Sequence, residues 1–447
     1  VLAAIACLEL GLLATGLGGP FPLRAAWIPL AGLFFLVAFR LPDVAWALAF
    51  LALPLSAEVR IPSLGAISLP TEPMIALALA AWLLRAVLRG GIRVPANSVH
   101  LPLGALALVS VASVVLGGYK VLGLKAWAVS GAYAAFGYLF FVCSQCESRW
   151  RQRWVLLAAL AGGLMGVYGT LRVIALGVDP RSAYGAARPF FPEHGTYAAY
   201  LAMLLPVAMF EALGRQDRSR WFFASAAAAM FAGLLLSFTR AAWISILVVV
   251  PAALALWAWK HTAWKRVLVV IVAVLGLLGL LATVREGQRL FGYVGSVSSV
   301  ENVSNLERVN RWIAAFEMIR QHPWLGIGYD AYGEAYASYR RKTIVTEQAL
   351  VRMGVHSEPL RLLAETGLAG LAAGVWFVSA VWVAGFRAFR RLRDSSAQRL
   401  ALGLLAGFAT YVIHGVFNSY LGLDKVTMPF WMLVGALSAL GAAPRRE

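Results

Sequence analysis

The sequence predicts an all-α polytopic integral membrane protein, with about 12–14 transmembrane helices and one large loop that holds short helices of its own. Three observations predict it. The 447 residues are 61% hydrophobic and only 13% charged, where a soluble domain carries about 25% charged residues. Mean hydropathy is +0.75, and apolar runs of roughly 20 residues, the length that crosses a bilayer, recur along nearly the whole chain. Arginine and lysine then crowd into alternate loops, as they do when every second loop faces the cytoplasm.

In chain order the candidate spans are 1–19, 22–39, 41–57, 73–88, 101–117, 126–143, 154–176, 194–213, 221–237, 241–259, 267–284, 359–385, 400–418 and 426–443. Neither a basic segment nor a small-residue cleavage site precedes the first, which is therefore read as a retained span rather than a cleaved signal. The second and third are short and share Arg40, Pro42 and Asp43, so they read equally as a re-entrant or interfacial pair. The parity of crossings is the same either way.

The basic loops carry Arg85, Arg89 and Arg93, then Arg149, Arg151 and Arg153, then Arg215, Arg218 and Arg220. Lys260, Lys265 and Arg266 follow, then Arg387, Arg390, Arg391, Arg393 and Arg399, and finally Arg445 and Arg446. Loops on the other side are poorer in cations, so both termini are assigned to the cytoplasm and the long loop to the outer side. The chain divides into an N-terminal transmembrane region (1–284), a large periplasmic loop (285–357) and a C-terminal transmembrane region (358–447).

Within that loop, Ser304 and Glu307 have the spacing of a capping box. Arg308, Trp312, Phe316 and Ile319 follow at helical spacing, until Pro323, Gly326 and Gly328 make a turn. A second stretch, from Tyr329 to Val351, is aromatic and basic. Helices lying flat on the outer membrane face would account for both.

The net charge of +18 does not point to a nucleic-acid partner, since no soluble basic domain is present to bind one. It fits the loop asymmetry together with a polyanionic ligand such as a pyrophosphate. Of three cysteines, Cys7 lies in an apolar run, and Cys143 and Cys146 lack the second pair or nearby histidine of a zinc site.

Ionisable groups at membrane depth are costly, which makes them candidates for function. Arg240 stands alone in a turn between two apolar helices, on the side that should be poor in cations. It reads either as an arginine reaching to water or as an oxyanion ligand, which a guanidinium binds in bidentate fashion. Arg188 offers the same choice, followed closely by Glu193 and His194. His414, with Asn418 one turn on, is either a helix–helix contact or part of a site. His356 and Glu358 stand where the polar loop gives way to an apolar run, reachable from water yet anchored on a membrane helix.

His356-Ser357, nine further residues and then Gly367 and Gly370 resemble a motif of bacterial O-antigen ligases. Arg311-Trp312, Pro323 to Gly328 and Leu363 to Leu368 have an order similar to the region those ligases share with O-antigen polymerases and pilin-type O-oligosaccharyltransferases. Ser237–Arg240 resembles an upstream basic motif of the same superfamily, whereas the stretch around Arg188 departs from the pattern of many ligases.

The resemblance implies a GT-C-like glycosyltransferase that moves a glycan from undecaprenyl diphosphate to a hydroxyl acceptor, with inversion. The acceptor would be lipid A–core for a ligase, or another glycan for a polymerase. His356 would be the general base, oriented by Glu358 or Glu365. Arg240 and Arg188 would hold the pyrophosphate, helped from the loop by Arg340, Arg341 or Arg352, while Glu193, His194 and His414 support the site. The expected partners are this donor, the acceptor and membrane lipid, with no cofactor and no metal. No Asp completes a nucleophilic triad with Ser357. Polymerase, protein O-oligosaccharyltransferase and lipid-linked oligosaccharide transporter remain as alternatives.

Overall fold

The computed structural model describes residues 27–61, 65–92, 94–144, 148–261, 303–340 and 354–442. The expected spans 1–19 and 267–284 lie outside these residues, as do Cys7, Cys146, Arg341, Arg352 and the basic tail at Arg445 and Arg446.

Each remaining expected span is a helix. They are α1 (Trp27–Arg40), α2 (Pro42–Ala52), α3 (Thr71–Leu88), α4 (His100–Leu116) and α5 (Lys120–Ala134), which runs on through a π turn into Phe140–Ser144. Then come α6 (Ser148–Leu176), the short α7 (Pro180–Ala186), α8 (His194–Gly214), α9 (Ser219–Leu235) and α10 (Arg240–His261). The loop contributes α11 (Val303–Gln321) and α12 (Tyr332–Tyr339), and α13 (Glu358–Arg391), α14 (Ser395–Phe417) and α15 (Asp424–Ala442) complete the chain. Seven of the described helices are long and apolar enough to cross a membrane. The protein is a multi-pass membrane protein.

The third expected span ends early. After α2 and the short turn Leu53–Leu55, strands β1 (Ala57–Ile61) and β2 (Gly65–Leu69) form an antiparallel hairpin with Ala57 opposite Leu69. Its alternating Glu58, Val59, Arg60 and Ile61 have the period of a strand with two unlike faces.

At the centre stand α8 and α14, each 78% buried over its most apolar stretch, against 22% for α3. In lipid, close helix contact comes from small residues rather than from hydrophobic exclusion. Gly403 and Gly407 of α14 supply them: a Cβ on either would collide with the α8 backbone at Val207 or Met203. Thr410 Oγ1 then donates to the Ala202 carbonyl at 3.0 Å. Outward-facing Leu108, Val121 and Leu247 are at least 72% exposed, as side chains facing lipid would be.

Although helical throughout, α13 is broken at Gly367, whose φ of 66° and ψ of −167° leave the helical region. The Pro323–Gly328 turn is laced into that break. Ile327 N donates to Ala364 O at 3.0 Å and Gly328 N to Glu365 O at 3.2 Å, while Leu368 N and Ala369 N donate to the carbonyls of Pro323 and Trp324. The loop helices are thereby fixed to the bundle. Moreover, α11 buries Asn310, Arg311, Ala314, Ala315 and Met318, not the face that holds Phe316, which is 57% exposed.

Candidate functional site

Three non-glycine residues adopt left-handed backbone among the described residues: Phe238 (φ 51°), Asp330 (φ 58°) and His356 (φ 55°). Each such residue costs about 1–2 kcal/mol and persists only where its surroundings impose it. All three sit in turns at one end of the bundle. Phe238 shapes the turn before Arg240, Asp330 the turn between α11 and α12, and His356 the entry to α13.

Val355 and Ser357, on either side of His356, are buried, and its own ring is partly covered. Ser357 caps α13, its Oγ accepting from Leu360 N at 3.5 Å and its carbonyl from Arg361 N at 2.8 Å. That hydroxyl is engaged in capping, and the imidazole is the side chain left facing the site. Burial pushes the His356 pKa down to about 4, and the charges of Arg311 and Arg308 push the same way, against a hydrogen bond to Asn418 that favours the protonated ring. At neutral pH the ring is uncharged and lies within the field of two guanidinium groups.

Asn418, buried just after α14, joins several of the polar groups. Its Nδ2 lies 3.1 Å from His414 Nε2, and its Oδ1 accepts from Tyr420 Oη at 3.4 Å. Tyr420 is also hydrogen-bonded to Glu193, which is hydrogen-bonded to Tyr184. Burial raises the Glu193 pKa, while these two hydroxyls and the charges of Arg311 and Arg308 oppose the rise. The Tyr184 ring rests 4.7 Å from that of His194, whose carbonyl accepts from Thr239 Oγ1 at 3.4 Å. Thr239 directly precedes Arg240, so the turn holding that arginine is tied to the start of α8. Gly195 permits this closeness, since a Cβ there would collide with Tyr420 Oη.

The structure thus brings His356, Glu193, His194 and His414 into one polar region. Arg308 acts electrostatically on all four, and on Tyr420. Nδ1 of His194 and Nδ1 of His414 are buried with no hydrogen-bond partner among the described residues. Arg240 begins α10, directly after the Thr239 whose hydroxyl meets the His194 carbonyl. Arg188 is exposed, its Nε donating to the Pro192 carbonyl at 3.3 Å, and its charge acts on Tyr184. Arg340 closes α12, its backbone N–H donating to Tyr336 O at 2.9 Å. The cations acting most strongly on His356 are Arg311 and Arg308, both on α11.

One expectation is corrected. Neither Glu358 nor Glu365 orients the imidazole. Glu358 Oε2 accepts from Arg361 Nη2 at 2.8 Å, and its Oε1 accepts from Tyr411 Oη and Leu421 N, both at 2.9 Å. Glu365 Oε2 pairs with Arg361 Nη1 at 3.1 Å, while Oε1 accepts from Tyr332 N at 3.3 Å. These carboxylates hold loops in place, and the partner of the imidazole is Asn418.

Arg308 stands at helical spacing in the sequence and Arg311 within the family-like Arg311-Trp312, yet neither has a site role there, because the helical period weighs apolar residues alone. Asn418 and Tyr420 are neutral, so charge patterning passes over them. The available signal was position: both follow an apolar helix that already carries a histidine.

Residues 225–375 match the family model Wzy_C, described as O-antigen ligase. No curated protein matches the chain. The matched stretch contains Arg240, Arg308, Arg311 and His356, whereas Arg188, Glu193, His194, His414, Asn418 and Tyr420 come from outside it. The stretch 225–375 of this multi-pass membrane protein, with the polar site at one end of its helical bundle, is thus similar to the O-antigen ligase (Wzy_C) family.

Proposed function

We propose that this protein transfers a glycan from undecaprenyl diphosphate to a hydroxyl of lipid A–core, as an O-antigen ligase, with His356 as general base. The observation that carries the proposal is an imidazole held in left-handed backbone at the entry to α13, within the field of two α11 arginines. The acceptor hydroxyl gives its proton to the free ring nitrogen as its oxygen bonds to the anomeric carbon. The bond from that carbon to the phosphate oxygen breaks, and undecaprenyl diphosphate leaves with the electron pair. A single displacement inverts the anomeric centre.

The developing charge falls on the diphosphate, where fixed guanidinium groups stabilise it without reorganising. Arg308 and Arg311, whose charges act on His356, join Arg240 as candidates, with Arg188, Arg340 and Arg352 as further candidate ligands from the sequence. Glu193, His194 and His414 complete the polar wall, and Glu358 supports it indirectly through the loop it anchors. The site end faces the periplasm of the inner membrane in this reading, with both termini cytoplasmic. The segments 1–284, 285–357 and 358–447 then serve as two transmembrane regions joined by the loop that brings the two α11 arginines to the base.

A transfer assay in detergent tests this, with a lipid-diphosphate-linked oligosaccharide as donor and either lipid A–core or more donor as acceptor. Wild-type product on lipid A–core, lost in His356→Ala while donor binding persists, is the expected result. A ladder of longer lipid-linked glycans would make the protein a polymerase instead. Transfer that survives in His356→Ala would remove His356 as the base.

A further inference from the structure

Asn418 follows the last residue of α14 in extended backbone (φ −149°, ψ 158°) and is 4% exposed. Buried amides are retained where their donors and acceptors find partners. Here the partners are ring nitrogens of two histidines and a tyrosine hydroxyl: His356, His414 Nε2 and Tyr420 Oη. The loop that carries the amide is pinned at both ends. Asn418 N donates to the His414 carbonyl at 3.1 Å, and Leu421 N donates to Glu358 Oε1 at 2.9 Å. Glu358 is itself fixed by Arg361 and Tyr411 and lies two residues from His356. One carboxylate therefore anchors both the segment that bears the imidazole and the loop that bears the amide.

We infer that Asn418 is the positioning residue for His356, fixing the imidazole's orientation and tautomer so that its other nitrogen meets the acceptor hydroxyl. The inference rests on the reading of His356 as general base. An uncharged amide fits this place because the site already presents cations to a diphosphate. A carboxylate here would hold the ring equally well, but it would neutralise part of that field and favour the imidazolium. The other groups facing this part of the site are Arg308 and Arg311 from α11, Glu193 and His194 at the start of α8, His414 on α14, and Tyr420. None of these is altered in the variants below.

The test combines two measurements on the full-length protein. The first is transfer kinetics with donor affinity for wild type, Asn418→Ala, Asn418→Asp and His356→Ala. The second is the pH dependence of His356 acylation by diethyl pyrocarbonate, read by mass spectrometry, which titrates the neutral ring whether or not turnover occurs. Asn418→Ala should lose about 100-fold in kcat, within the range that a general base supplies, with donor affinity unchanged. Asn418→Asp should recover part of that loss. It should also move the His356 titration upward by about 1–3 pH units, the effect of an opposite charge at contact distance.

The near-isosteric Asp variant keeps the test valid if the Ala variant folds poorly. Wild-type kcat in Asn418→Ala, or an unshifted His356 titration in Asn418→Asp, overturns the inference. Turnover that persists in His356→Ala defeats the reading of the base instead, and the acylation titration still decides whether Asn418 holds the ring.

Discussion

A histidine with a pKa near 4 is neutral throughout the physiological range, but it is a weak base for taking a proton from a sugar hydroxyl. The three causes of that low value are burial and the charges of Arg311 and Arg308. In the proposed reaction a bound diphosphate would offset these charges, so donor binding would raise the basicity of His356 as the acceptor arrives. The sign is testable. The base must be deprotonated in the free enzyme, so the acid limb of kcat/KM should lie well below 6.5 in the wild type. Arg311→Gln removes a positive charge, lets the imidazole hold its proton more tightly and should move that limb to higher pH. It should also lower kcat by about 10²–10³-fold, the usual effect of losing one charge-stabilising donor. A limb that stays in place, measured with donor subsaturating, would mean that Arg311 does not act on His356.

The broken α13 explains why the motif needs its glycines. Gly367 has a φ of 66°, and a Cβ on it would collide with the Trp324 backbone, which packs into the break. Gly367→Ala should therefore destabilise the protein by about 2–4 kcal/mol, combining left-handed strain with displaced backbone. Gly333→Ala, with nothing within 4 Å of a Cβ and a helical backbone, should leave the melting temperature unchanged or raise it. A similar contrast exists among the ion pairs. Arg361→Met leaves the carboxylates of Glu358 and Glu365 without their shared counter-charge, a loss of about 3–5 kcal/mol for a buried pair. Arg320→Met, on the exposed pair with Glu317, should not move the melting temperature.

The spans were legible because bilayer thickness and apolar run length are a strict match, and His356 stands out as a candidate because it lies where a polar stretch meets an apolar run. The buried face of α11 was not. Its residues are Asn310, Arg311, two alanines and Met318, which no hydrophobic period distinguishes, and the alanines and Met318 pack with Ile327, Tyr332, Tyr336, Val355 and Ala364. The β1–β2 hairpin was obscured by its continuity with the apolar α2, although its alternation is plain once the helix is ended at Ala52.

At the scale of the whole molecule, charge and contacts divide the bundle into two unlike ends. At one end Lys260 Nζ donates to the Phe389 carbonyl at 2.6 Å, tying the end of α10 to the last turns of α13. There too Gly214, at the end of α8, sits against the Arg399 side chain of α14, with Glu211–Arg215 beside it at 2.8 Å. Arg218, Arg220, Arg390, Arg391 and Arg393 belong to the same end by their places on these helices. The opposite end holds the starts of α8, α10 and α13, the end of α14 and therefore the site. Cations retained in short loops mark the cytoplasmic side, so the site end should face outward. Single cysteines in a cysteine-free background separate the two sides. Ser338→Cys on α12 should react with a membrane-impermeant maleimide in intact spheroplasts. Asp217→Cys, between α8 and α9, and Asp394→Cys, between α13 and α14, should react only after the membrane is permeabilised. The reverse pattern would place the base in the cytoplasm, where no acceptor on the outer leaflet could reach it, and the ligase reading would fall with the topology.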